Sequence, residues 1–128
     1  MPIKNIRLSC KARDQLIRLK GITGIKYWHV LCRWGFCVSL AEPNPPPTGK
    51  IPADSSVEMD WSTFGGEYAE IYWAVLTQRC KQDGLGTSEE TLEQQFRAHL
   101  HRGIGYLLGD RGLRSISDLV GKAITEQE

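Results

Sequence analysis

The chain has 128 residues, of which 41% are hydrophobic and 24% charged, and its formal net charge is +1. That is the make-up of a globular protein long enough to bury a core without disulfides or metal staples. The opening MPIKNIRLSC holds no apolar signal segment, and the most apolar stretch, 27–41, is interrupted by His29 and Arg33, so neither a leader nor a membrane span is expected.

Along the chain, Ile6 and Leu8 alternate with Asn5 and Arg7, the period of a short half-buried strand over 4–8. Ser9 is placed to cap a helix running to about Lys20, with Ala12, Leu16 and Leu19 on one stripe and Gly21 as its left-handed stop. Thr23 then caps a second helix over about 25–41. Its Trp28, Val30, Leu31, Trp34, Phe36, Val38 and Leu40 wrap most of the circumference, which calls for burial on nearly all sides and, in so small a chain, for self-association. The segment EPNPPPTGK is neither helix nor central strand and reads as a connector. Val57, Met59 and Trp61 alternate as a second strand. A third helix is expected over about 67–81 with Tyr68, Ile71, Tyr72 and Val75 on one face. A capping box at Thr87 and Glu90 opens a fourth helix over about 88–108. It turns Leu92, Phe96, Leu100, Ile104 and Leu107 inward, and Gly103 and Gly105 fit only where another backbone comes close. Ser115 opens a last short helix. The expected fold is mainly α with short β elements: an N-terminal β-α-α unit (1–41), a proline-rich linker (42–53), and a strand with helices (54–128), all one domain.

Groups that converge for catalysis are scarce. Glu58 and Asp60 share one strand face and offer a Mg²⁺ pair, but Ser62 stands where a nuclease of the PD-(D/E)xK kind needs lysine. His99 and His101 project apart on a helix, and HExxH and P-loop patterns are absent. A pairing of His29 with Cys32 or Cys37 has no other mark of a hydrolase beside it. Cys10, Cys32, Cys37 and Cys80 lack zinc spacing and read as reduced thiols of a cytoplasmic protein. Neither a metal nor another cofactor is expected.

The charge distribution says more. Residues 1–40 hold eight Lys and Arg against Asp14 alone, a net +7, leaving −6 for the remainder. A basic segment of this kind fits a phosphate backbone. Lys11, Arg18, Lys20, Lys26 and Arg33 are its candidate contacts. Gly21 and Gly24 form the joint between two helices, and the amides at the start of the second helix, near Gly24 and Ile25, point outward and offer a phosphate site. Aromatic residues mostly occupy apolar helical positions, where the core claims them. A β-α-GxxG-α-β order fits either a KH domain or a ribbon-helix-helix-like unit, whose first strand pairs with a second subunit. The all-round apolar helix favours the latter as a dimer core.

The segment LSCKARDQLIRLKGITGI, followed by an apolar helix, resembles the opening of the DndE family of bacterial DNA phosphorothioation systems. Leu8, Ser9, Asp14, Gln15, Leu16, Leu19, Lys20, Gly21, Thr23, Gly24 and Ile25 carry the likeness, and MDWSTFGGE, HLHRGIGYL and SISDLV extend it more loosely. The resemblance implies a small helical homotetramer that binds duplex DNA with a preference for nicked DNA. It would work beside a cysteine desulfurase, an iron–sulfur sulfurtransferase and an ATPase. It implies no catalytic role. A metal-dependent nickase using Glu58 and Asp60, and a protein-binding scaffold, are the alternatives.

Overall fold

The computed structural model describes residues 3–47 and 49–109. In order they form β1 (Ile6–Arg7), α1 (Cys10–Thr23), α2 (Trp28–Ala41), β2 (Glu58–Met59), α3 (Trp61–Gly65), a 3-10 turn (Gly66–Tyr68), α4 (Ala69–Gln82) and α5 (Glu89–Gly109). The fold is mainly helical with a two-stranded antiparallel ribbon, as expected. The expected helix at Ser115 lies outside the described residues.

β1 pairs with β2 of the same chain, Ile6 opposite Met59 and Arg7 opposite Glu58. The ribbon therefore closes internally, where a ribbon-helix-helix arrangement would join two subunits. The alternation seen in sequence does set the faces: Ile6, Leu8, Val57 and Met59 are buried, and Arg7 and Glu58 face outward 2.9 Å apart. Ser9 caps α1, its hydroxyl accepting from the Ala12 amide at 3.0 Å. Ser88 rather than Thr87 caps α5, accepting from the Thr91 amide at 3.1 Å.

α2 and α5 form the central packing, with α1, α3 and α4 against them. All five apolar positions expected of α5 are buried. A Cβ on Gly103 would sit 1.6 Å from the Gly35 carbonyl oxygen, so the two backbones touch where α2 crosses α5. Gly103 thus has the role its sequence context demands, whereas a Cβ on Gly105 meets only the end of Gln15. Beside the crossing, Phe36, Trp61, Phe64 and Phe96 stack edge to face, with the Phe64–Phe96 and Trp61–Phe96 centroids 4.9 Å apart.

α4 meets the core on a face turned about a quarter turn from its sequence pattern, so that of the four expected positions only Tyr72 packs inward, its ring against Phe36 and Phe64. Leu76, Arg79 and Cys80 point inward, and Tyr68, Ile71 and Val75 are 54%, 59% and 41% exposed. Nor is α2 covered on every side: Val30 and Trp34 stay half-exposed.

The proline-rich connector is fixed to the helices by arginines. Prolines bring carbonyls but no N–H, so donors must come from elsewhere. Arg79, 7% exposed, donates to the carbonyls of Leu40, Glu42 and Asn44 and pairs with Asp83 at 2.9 Å. Arg102 reaches the Ser39 and Asn44 carbonyls, and Arg97 those of Ile51, Pro52 and Arg7.

Candidate nucleic-acid interface

α1 buries Ala12, Leu16, Leu19 and Thr23. At about 100° per residue, Lys11 and Arg18 then fall together on one flank of that stripe, and Lys20 lies half a turn away on the other. All three are exposed or half-exposed, as is Lys26 in the loop that follows. Among the described residues none of these four cations joins an ion pair, whereas Arg7, Arg13 and Arg79 do.

The joint between the helices is built differently from its sequence reading. α1 runs three residues past Lys20, and Gly24, not Gly21, is the left-handed stop: its φ is 76° and its amide donates to the Lys20 carbonyl at 2.9 Å. Gly21 lies within the last turn. Thr23 does not cap α2. Its hydroxyl donates to the Leu19 carbonyl at 2.8 Å and accepts from the Ile25 amide at 3.2 Å. α2 begins only at Trp28, so the Gly24 and Ile25 amides are spent inside the chain and do not form a helix-start phosphate site. A Cβ on either Gly21 or Gly24 would meet nothing within 4 Å, so the surface there is open.

The late start of α2 leaves Tyr27 outside the helix. Tyr27 is 65% exposed, and its ring lies 5.5 Å from that of His29, tilted by 34°. The Lys20 ammonium sits 3.3 Å from the centroid of the Trp28 ring, a cation–π contact. Burial, and then the nearby Arg33 charge, hold His29 below the ordinary histidine range. The signal for Tyr27 in the sequence is Gly24 itself: a stop there moves the next helix start beyond residue 25.

Arg33 is half-exposed, and its guanidinium is engaged by the neighbouring backbone. It donates to the carbonyls of Phe64 and Thr63 (the latter at 3.1 Å) and so closes the C-terminal end of α3. On the far flank of α1, Lys11 opens onto a groove of about 900 Å³ between α1, α5 and the connector, lined also by Lys50, His101, Arg102 and Tyr106.

The carboxylates and thiols considered for catalysis have other partners. Glu58 pairs with Arg7, and Asp60 caps α3, accepting from the Thr63 amide at 2.7 Å and the Ser62 hydroxyl at 2.9 Å. Those bonds, Thr63 first, hold Asp60 below the usual carboxylate range. Burial pushes the Cys32 thiol up to about 12, which removes it as a nucleophile. His99 is buried with Nδ1 2.8 Å from the Ser39 hydroxyl, while His101 accepts from the Ser9 amide on Nε2 at 3.2 Å. Among the described residues no group of three or more His, Cys, Asp or Glu can hold a metal, and no helix is long and apolar enough to cross a membrane.

Residues 5–115 match the family described as DNA sulphur modification protein DndE. The fold is similar to the crystal structure of DndE from Escherichia coli B7A, involved in DNA phosphorothioation modification. The TM-score is 0.70 at 27% identity, over 84% of this chain and 98% of that one. It is also similar to the crystal structure of a DndE G21/24K mutant involved in DNA phosphorothioation, with a TM-score of 0.63 at 22% identity over 81% and 97% of the two chains. No curated protein matches the chain.

Proposed function

The chain belongs to the DndE family of DNA sulfur modification proteins, and from that premise we propose that it is a non-catalytic, cytoplasmic DNA-binding subunit of the phosphorothioation machinery. It docks duplex DNA, with preference for a nicked duplex, through Lys11, Arg18, Lys20 and Lys26. The observation that carries this reading is the split among its cations. Arg33, Arg79, Arg97 and Arg102 are engaged by backbone carbonyls, while Lys11, Arg18 and Lys26 are exposed and Lys20 is half-exposed over the Trp28 ring, all four without an ion partner among the described residues. Such cations release counterions from a phosphate backbone on contact and carry little base readout. A nick lowers the cost of bending the duplex across the basic face. The metal-dependent nickase gains no comparable support, since Glu58 and Asp60 are engaged elsewhere.

The subunit works as a homotetramer in this proposal, beside a cysteine desulfurase, an iron–sulfur sulfurtransferase and an ATPase. The outward Ile71 and Val75 of α4 and Tyr68 just before it support self-association: they are large apolar groups left in water by the single chain. Light scattering is expected to give four times the chain mass for wild type and a smaller assembly for Ile71→Glu. An unchanged mass in Ile71→Glu removes α4 from the contact.

The test of DNA binding is fluorescence anisotropy of a labelled duplex, intact and nicked, across a salt series in EDTA. The expected result is tighter binding of the nicked form and a steep log–log salt dependence. In Lys20→Ala/Lys26→Ala the slope becomes shallower by about two, one for each phosphate no longer neutralised. Absence of binding at low salt overturns the proposal and leaves the scaffold reading in its place. Strand cutting that EDTA and Glu58→Ala both stop turns it toward the nickase.

A further inference from the structure

We propose that Tyr27 and His29 form a stacking platform for an unpaired nucleobase, flanked by Lys20 and Lys26, so that the α1–α2 joint grips DNA where a base stands outside the duplex. The inference rests on the DNA-binding reading above and deepens it by giving that surface a ligand besides the backbone.

Tyr27 is 65% exposed in the extended turn that precedes α2, with φ −99° and ψ 128°. One face of its ring is turned to the His29 imidazole, 5.5 Å away and tilted by 34°, which leaves the other open to a base. Tyr27 uses no side-chain hydrogen bond to cap α2, and the amides that begin α2 at 28–30 have no capping side chain. They leave the positive end of a fourteen-residue helix beside the ring, where the phosphate of a stacked nucleotide is favoured. Lys26 precedes Tyr27 directly and is exposed. Lys20 adds a second cation at the joint, its ammonium 3.3 Å from the ring centroid of Trp28, the residue after Tyr27. Gly21 and Gly24 add no side chain to obstruct a backbone coming up to the ring. His29, kept below its ordinary range by burial and by Arg33, is a neutral ring at neutral pH and stacks with no charge to desolvate.

Exposed rings beside cations are the means by which proteins hold single-stranded nucleic acid: every base has a π face, so stacking needs no sequence readout. An intact duplex offers no such face. A gap does. The platform therefore discriminates by base exposure, and its contribution is independent of salt, unlike that of the lysines.

The experiment uses the full chain and two labelled duplexes, one intact and one with a single-nucleotide gap opposite 2-aminopurine. Anisotropy across a salt series gives affinity, and 2-aminopurine quenching reports stacking. Wild type is expected to quench the probe. Tyr27→Ala is expected to lose the quenching and about tenfold in affinity for the gapped duplex, with intact-duplex affinity and salt slope unchanged. Tyr27→Phe keeps both properties. Tyr27→Leu, which retains bulk without a π face, behaves as Tyr27→Ala, and the unchanged intact-duplex affinity of both excludes a loss of fold as the cause. Lys26→Ala gives the converse result, a slope shallower by about one on both duplexes. If Tyr27→Ala quenches and binds the gapped duplex as wild type does, the platform is overturned while DNA binding stands. Equal losses on both duplexes overturn it too, making Tyr27 a general backbone or subunit contact. No binding to either duplex at low salt overturns both readings together.

Discussion

Two pairs of glycines divide the molecule. At the crossing of α2 and α5, a Cβ on Gly103 would lie 1.6 Å from the Gly35 carbonyl oxygen, and one on Gly35 would press on the Ile104 amide nitrogen at 3.0 Å. At the α1–α2 joint, Gly21 and Gly24 stand where a side chain would touch nothing. The first pair lets two helices approach until their backbones meet, and the aromatic core and the arginine-bound connector gather around that contact. The second pair leaves the chain bare among exposed lysines and aromatic rings. One residue type thus serves interior packing in one region and an open surface in the other.

The same substitution in both regions is the strongest way to break the comparison. Gly103→Ala is expected to cost about 3–4 kcal/mol, at the upper end of overpacking because the clash is with backbone, which has no rotamer to change. Gly21→Ala, in the last turn of α1 at an open site, is expected to stabilise by about 0.5 kcal/mol through helix propensity. Chemical denaturation of the two variants measures both, and equal effects would mean that the crossing relaxes as freely as the joint.

A smaller effect comes from the polar group buried at the crossing. Burial first, then the Arg79 and Arg102 charges, lower His99 from 6.5 to about 4. The unfolded chain therefore takes up the proton before the folded one does. Stability present above about pH 6.5 falls as the pH drops, and the loss is complete near pH 4. Its size is about 2–3 kcal/mol, at roughly 1.4 kcal/mol for each pH unit between those two values and with an allowance for relaxation. Urea midpoints at pH 7, 5.5 and 4 are expected to fall more steeply for wild type than for His99→Gln. Parallel curves would remove His99 as the source.

Much of the crossing is legible in the sequence and little of the joint is. The period of Leu92, Phe96, Leu100, Ile104 and Leu107 marks the buried face of α5, and two glycines inside a helix point to a close backbone. The ends of α1 and α2 escape a sequence reading because Gly21 and Thr23 each satisfy a capping rule locally. The decision lies with Gly24, whose amide completes a hydrogen bond to Lys20. That shift of three residues hides Tyr27. The pattern on α4 shows an apolar stripe but not which side the rest of the chain covers, a choice made by Leu76 and Cys80 against the core. Arg33 reads as surface charge in the sequence, although an arginine in an apolar helix must find acceptors. For Arg79 and Arg102 those acceptors lie in the proline-rich connector, which is full of carbonyls without N–H partners.

That arginine-bound connector has a consequence for how freely the surface can change. The guanidinium groups that secure residues 40–52 work through fixed planar forks, each serving two or three carbonyls at once, a task that the single ammonium of lysine does not replace. The outer lysines carry no such duty. Lys11, Lys26 and the exposed Arg18 can drift in number, spacing and sign or be redesigned without unsettling the interior, whereas Lys20 is tied to it through Trp28.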